Sequence, residues 1–147
     1  MNFFLKNYIK DNVENALLII LHPLEKINSE VYNKSILYYK NLYNNDNISF
    51  IDKDINSLEY FKHINTTIST YSTLNMGRLF CGYKTIFAPI KYTKKFDQDP
   101  QLDSICVYNK NQLNNLLKKV IKMSDDEFFE YYRLNDYLYK NYDIIKK

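Results

Sequence analysis

Ala16-Leu17-Leu18-Ile19-Ile20-Leu21-His22-Pro23 is the stretch on which the fold class turns. Six apolar residues run without alternation and stop at a His-Pro pair. A strand with one wet face alternates apolar and polar positions. An unbroken run of this length fits a parallel strand covered on both faces. Parallel strands need crossover connections, usually helical, so the run predicts helices around it.

The residues downstream supply that alternation. Asn28 and Ser29 offer N-caps to a helix reaching about Tyr43, with Tyr32, Ile36, Tyr39 and Tyr43 at helical spacing. Asn44-Asn45-Asp46-Asn47 breaks it, and Ile48-Ser49-Phe50-Ile51 reads as a second strand. Asn56-Ser57-Leu58-Glu59 caps a short helix to His63, and Thr66-Thr67-Ile68-Ser69 reads as a third strand. Ser72 and Thr73 cap a helix through Cys81, with Gly82 where a C′ glycine belongs. Thr85-Ile86-Phe87-Ala88, stopped by Pro89, is the fourth strand, and Ser104-Ile105-Cys106-Val107 the fifth, after a polar loop. Asn109 caps a helix to about Met123, and Ser124-Asp125-Asp126-Glu127 is a capping box before a long Tyr-rich helix. The order predicts one α/β domain over 1–147. Its sheet is Rossmann-like and doubly wound, mainly parallel and of about five strands, with helices on both faces and a helical C-terminus.

Composition narrows the function classes. The chain has 147 residues, 46% hydrophobic and 25% charged, the balance of one folded domain. That is too short for an enzyme whose cleft lies between two full-sized halves. Eighteen Lys against two Arg, 19 Asn and 15 Tyr fit the codon bias of an AT-rich coding sequence, so single Lys, Asn or Tyr residues carry little weight. The net charge of +3 is spread along the chain, apart from Lys91-Tyr92-Thr93-Lys94-Lys95 and Lys146-Lys147, which argues against nucleic acid. Cys81 and Cys106 stand 25 apart in apolar contexts and read as reduced core thiols, neither a disulfide framework nor a metal motif. The start Met1-Asn2-Phe3-Phe4-Leu5-Lys6 is no signal peptide, and six apolar residues are far from the ~20 of a membrane span. A cytoplasmic protein is expected.

Open parallel sheets bind ligands beyond the carboxyl ends of their strands, so the residues just after each strand matter most. His22-Pro23 follows the first strand; Pro23 biases His22 toward extended geometry, where its imidazole could donate to a phosphate oxygen. The plainer reading is a turn histidine bonded to backbone. Ser69-Thr70-Tyr71-Ser72-Thr73 follows the third strand, and Ser72 and Thr73 at a helix start combine hydroxyls with amides and the positive dipole end, a phosphate site without a glycine loop. The plainer reading is that Ser72 is an ordinary N-cap. With only Gly77 and Gly82 in the chain, neither a Walker loop nor a GxGxxG turn is possible. His22 and His63, 41 apart without a nearby acidic partner, make a poor metal site; no metal and no cofactor is expected.

His22-Pro23, Ser72-Thr73 and the Gly82-Tyr83-Lys84-Thr85-Ile86-Phe87 strand resemble the carboxyl-terminal, donor-binding half of GT-B glycosyltransferases. The match is closest to bacterial sialyltransferases and related capsule or lipooligosaccharide transferases with HP and S-S/T motifs. It covers roughly Ala16 to Val107. The resemblance implies a CMP-sugar donor, with His22 contacting the CMP phosphate and helping the nucleotide leave, and Pro23, Ser69, Ser72 and Thr73 lining the same site. It also implies metal-free inverting transfer and a place near the inner membrane. Two departures stand out. The D/E-D/E-G motif of the acceptor half is absent, and Gly77 occupies the position where a ribose-binding glutamate often follows the Ser-Thr pair. The chain is therefore expected to be a fragment, a truncated gene product or one part of a larger assembly, with weak nucleotide binding and little transfer alone.

A different class of function is a non-catalytic interaction domain. Its surface would be the aromatics of the last helix, around Phe128, Tyr131, Tyr132 and Tyr139, which would make a homodimer or meet an acceptor-binding domain. A flavodoxin-like or receiver domain fits less well, because no acidic pair follows the first strand.

Overall fold

The apolar run does form a strand, but a short one. Leu17–Ile19 (β1) pair in parallel with Ile48–Phe50 (β2), Leu17 opposite Ile48 and Ile19 opposite Phe50. The computed structural model describes residues 16–44, 48–51, 57–70, 72–89 and 100–138. The chain divides into two compact units, the first over Asn2–Glu59 and the second over Tyr60–Lys147.

In the first unit the crossover from β1 to β2 is a 3₁₀ turn, Pro23–Lys26, and a helix, α1, Ser29–Tyr43. Asn28 caps α1 by accepting the Val31 amide at 2.9 Å. Asn44 ends it in the left-handed region (φ 45°), a conformation its short polar side chain tolerates, and its amide donates to the Lys40 carbonyl at 2.9 Å. The buried apolar side chains described here are Leu21, Tyr43 and Ile51.

In the second unit Thr67–Ser69 (β3) and Thr85–Phe87 (β4) form another parallel pair, joined by the helix Thr73–Phe80 (α2). The sequence ends α2 where its glycine predicts. Gly82 takes φ +79°, its amide donates to Leu79 at 2.9 Å, and the Tyr83 amide reaches back to Arg78 at 3.2 Å. Both bonds of a Schellman cap are present. Three further helices follow: α3 (Pro100–Asp103), α4 (Lys110–Val120) and α5 (Asp125–Tyr131). Asn109 caps α4 by accepting the Gln112 amide at 3.0 Å, and Ser124 with Glu127 forms the expected box on α5. Fully buried Leu79, Ile86, Phe87, Ile105, Leu113 and Phe128 belong to this unit, each stabilising it by about 1.5–3 kcal/mol.

The described residues do not form the expected Rossmann-like, doubly wound sheet of about five strands. Among the described residues there are five α-helices and two separate two-stranded parallel sheets, every strand three residues long. The unbroken apolar run misled because Leu17, Leu18 and Ile19 are only half-buried, not covered on both faces. An apolar run reports low polarity, not how many neighbours a strand has. The fifth strand shrinks to one bridge between Phe87 and Cys106. The Phe87 amide donates to Ile105 at 3.0 Å and its carbonyl accepts from Val107 at 2.8 Å, after which Asn109 starts α4. Pro89 has no N–H to carry pairing past β4. The segment before it is also corrected at its end, since Pro100–Asp103 is helical where a loop is expected.

Candidate functional site

His22 has the extended backbone that Pro23 imposes, φ −62° and ψ 147°, and is exposed. It is the N-cap of the 3₁₀ turn. Its Nδ1 accepts the Leu24 amide at 3.2 Å, and the Glu25 carboxylate accepts the amide of His22 at 2.8 Å. This is a capping box with an imidazole in the place usually held by serine or threonine. The Tyr39 hydroxyl, on α1, donates to the other Glu25 oxygen at 3.3 Å. The histidine is thus bonded to backbone, as its plainer reading has it, and its second ring nitrogen is left for other use.

At the end of β3 the hydroxyls are held differently. The Ser69 carbonyl is engaged by the Ala88 amide at 2.7 Å, but its Oγ is shut off from solvent and has no hydrogen-bond partner in the structure. A buried hydroxyl without a partner costs about 1–3 kcal/mol. Ser72 is the N-cap of α2 with extended backbone (φ −152°, ψ 126°), yet its side chain makes no capping hydrogen bond. Its carbonyl accepts the Met76 amide at 3.0 Å, which starts the helix. Ser72 is half-buried and Thr73 exposed. The first-turn amides of a helix have no intrahelical acceptor, so amides and hydroxyls collect where β3 runs into α2. Buried Asn75 fixes this turn, its Nδ2 donating to the Ile86 carbonyl of β4 at 3.5 Å. Gly77 leaves open space where a side chain would begin. Tyr71 lies outside the described residues.

The expected site residues therefore fall into two groups. His22 and Pro23 belong to the first unit, and Ser69, Ser72 and Thr73 to the second. Residue-by-residue reading missed Glu25, Tyr39 and Asn75. The signal for Glu25 was present in its spacing, three residues after an N-cap position; nothing local marks Tyr39 or Asn75.

Nor did it weigh two buried cations of the second unit. Arg78 is fully buried, and its guanidinium donates to the carbonyls of Phe61, Ile64, Asn65 and Lys84. It lies against the Tyr83 ring at 4.8 Å and the Phe61 ring at 5.6 Å. Burial lowers its pKa to about 10. Lys84 is also buried, with Nζ donating to the Val120 and Met123 carbonyls and its own amide donating to Asp125 at 2.9 Å. Both cations donate to backbone carbonyls and so hold segments of the chain together.

The expected aromatic surface is corrected. Among the described residues the helix that Ser124 caps is seven residues long, not a long Tyr-rich one. Arg133 turns left-handed (φ 56°), its amide donates to Glu130 and that of Leu134 to Phe129, which folds Leu134 into the core. Phe128 is fully buried, Tyr132 half-buried and Tyr131 exposed, its ring carrying the Lys119 ammonium at 3.5 Å. Tyr139 lies outside the described residues. Cys81 and Cys106 are buried thiols, and burial pushes Cys106 up to about 12. Among the described residues no three His, Cys, Asp or Glu side chains gather as metal ligands, and no helix is long and apolar enough to cross a membrane.

No family model, no curated protein and no solved structure matches the chain.

Proposed function

We propose that the turn from β3 into α2 binds the phosphate of a nucleotide sugar, a CMP-sugar donor by the motif resemblance, through Ser69, Ser72 and Thr73. The observation that carries the reading is the Ser69 hydroxyl, buried and without a partner beside a helix start. The Ser69 hydroxyl is shut off from solvent in the unliganded chain, so the turn must open for a phosphate oxygen to accept a hydrogen bond from it and meet the first-turn amides of α2. The Ser72 hydroxyl, unused as a cap, is available to the same anion. By the same resemblance His22, in the first unit, is proposed in its own right as a donor to a phosphate oxygen. Acceptor activation is not assigned to any residue of this chain, so binding with little transfer is the expected behaviour.

Titration calorimetry with CMP tests this. Wild type binds, and Ser69→Ala and Ser72→Ala each weaken binding roughly ten- to a hundredfold, the range for a hydrogen bond to a charged group. Equal heats from wild type and both variants, or none from any, would remove the assignment.

A second reading, an interaction module, draws on the exposed Leu24, Ile27, Leu37 and Tyr38 of the first unit. Concentration-dependent mass in light scattering together with silence toward CMP would favour it.

A further inference from the structure

The segment His22-Pro23-Leu24-Glu25 closes on itself. Leu24 donates its amide to Nδ1 of His22, Glu25 takes the amide of His22 on its carboxylate, and the Glu25 amide returns to the His22 carbonyl at 2.8 Å. Pro23 contributes no N–H to compete for any of these acceptors and holds φ near its helical value. The outer carboxylate oxygen of Glu25 is tied to α1 through Tyr39. A ring nitrogen that accepts a hydrogen bond carries no proton, so in the neutral imidazole the proton resides on the other nitrogen.

We infer that Glu25 is the positioning residue of His22, setting the turn that holds its imidazole in the Nε2–H tautomer with Nε2–H as its one donor. The inference deepens the phosphate reading and, for its use, rests on it. The tautomer itself belongs to the unliganded chain. With the Nδ1 lone pair taken by Leu24, neutral His22 can donate to an oxyanion but has no free nitrogen with which to accept a proton from a hydroxyl. The ligand class it suits is a phosphate or other oxyanion, not an alcohol awaiting deprotonation.

Nitrogen-15 NMR of the imidazoles reads this directly. The chain has two histidines, so a His63→Gln variant assigns the His22 resonances at once. At about pH 8, where imidazoles are neutral, Nδ1 of His22 should show the unprotonated shift and Nε2 the protonated one. Its Nε2–H to Nδ1–H ratio should exceed that of exposed His63 about fivefold, the effect of one ordinary net hydrogen bond. Glu25→Ala should bring the ratio to that of His63, whereas Glu25→Gln, whose amide oxygen still accepts from the His22 amide, should retain it. A proton on Nδ1 in the wild-type protein, or a ratio unchanged by Glu25→Ala, overturns the inference. The wild-type spectrum decides the tautomer even where a variant fails to fold. CMP added to the same sample tests the phosphate reading separately. An Nε2 resonance that does not move removes His22 from that reading and leaves its positioning by Glu25 standing.

Discussion

Arg78 ties together two stretches of the second unit. Its guanidinium meets four carbonyls drawn from two stretches of chain, Phe61 to Asn65 and Lys84, while two aromatic rings cover its faces. A planar fork can serve several acceptors at once; an ammonium offers three donors from one point. Arg78→Lys should therefore destabilise the protein by on the order of 3 kcal/mol, since buried carbonyls lose their donors. Urea unfolding measures it, and an unchanged midpoint would show that the fork is dispensable. A chain with 18 Lys and two Arg made this residue readable in principle, because an arginine kept in an apolar helical stretch resists the compositional drift. Lys84 was not readable in the same way. One Lys among 18 looks like surface, and only the folded chain places it under the carbonyls of Val120 and Met123.

Helix ends were the most legible elements. Asn28, Asn109, Ser124 and Gly82 all stand at the boundaries their chemistry predicts, because a cap is decided within three or four residues. Ser72 is the instructive exception: it occupies the cap position and withholds its side chain. The box on α5 gives a pH prediction. The Ser124 amide, donating at 2.7 Å, holds the Glu127 carboxyl below its ordinary pKa, the serine side chain adding to this. A depressed carboxylate contributes stability above its unfolded pKa and loses it as pH falls through the folded value. Wild type should lose stability on acidification from neutrality to about pH 3 more steeply than Glu127→Gln, measured by denaturant midpoints. Identical slopes would mean the box does not couple to folding. The strands were legible in place but not in extent. Three-residue pairing depends on partners 18 or 31 positions away, and no local pattern reports when that pairing stops. The last helix failed for a related reason: burying Leu134 outweighs a left-handed Arg133, which costs about 1–2 kcal/mol.

At the scale of the molecule, strand–helix alternation held as an order of elements only as far as β4 and was wrong as an architecture. It survives as two parallel pairs, each bridged by a helix, in two units, without the continuous sheet that would place all strand ends along one edge. The candidate site is narrower in consequence. The hydroxyls after β3 stand on their own geometry, an unpartnered Ser69 Oγ beside the uncapped start of α2, and no longer on a fold. A phosphate seated there must touch the first-turn amides of α2. The most direct test is a CMP titration of nitrogen-15-labelled protein, following the backbone amides of Ser69 and of Ser72 to Asn75. Those resonances should shift together and saturate with one dissociation constant, while amides at the far end of α2, around Phe80 and Cys81, stay in place. Amides at the start of α2 that remain fixed at saturating CMP, or that move no more than those at its end, would contradict the phosphate site.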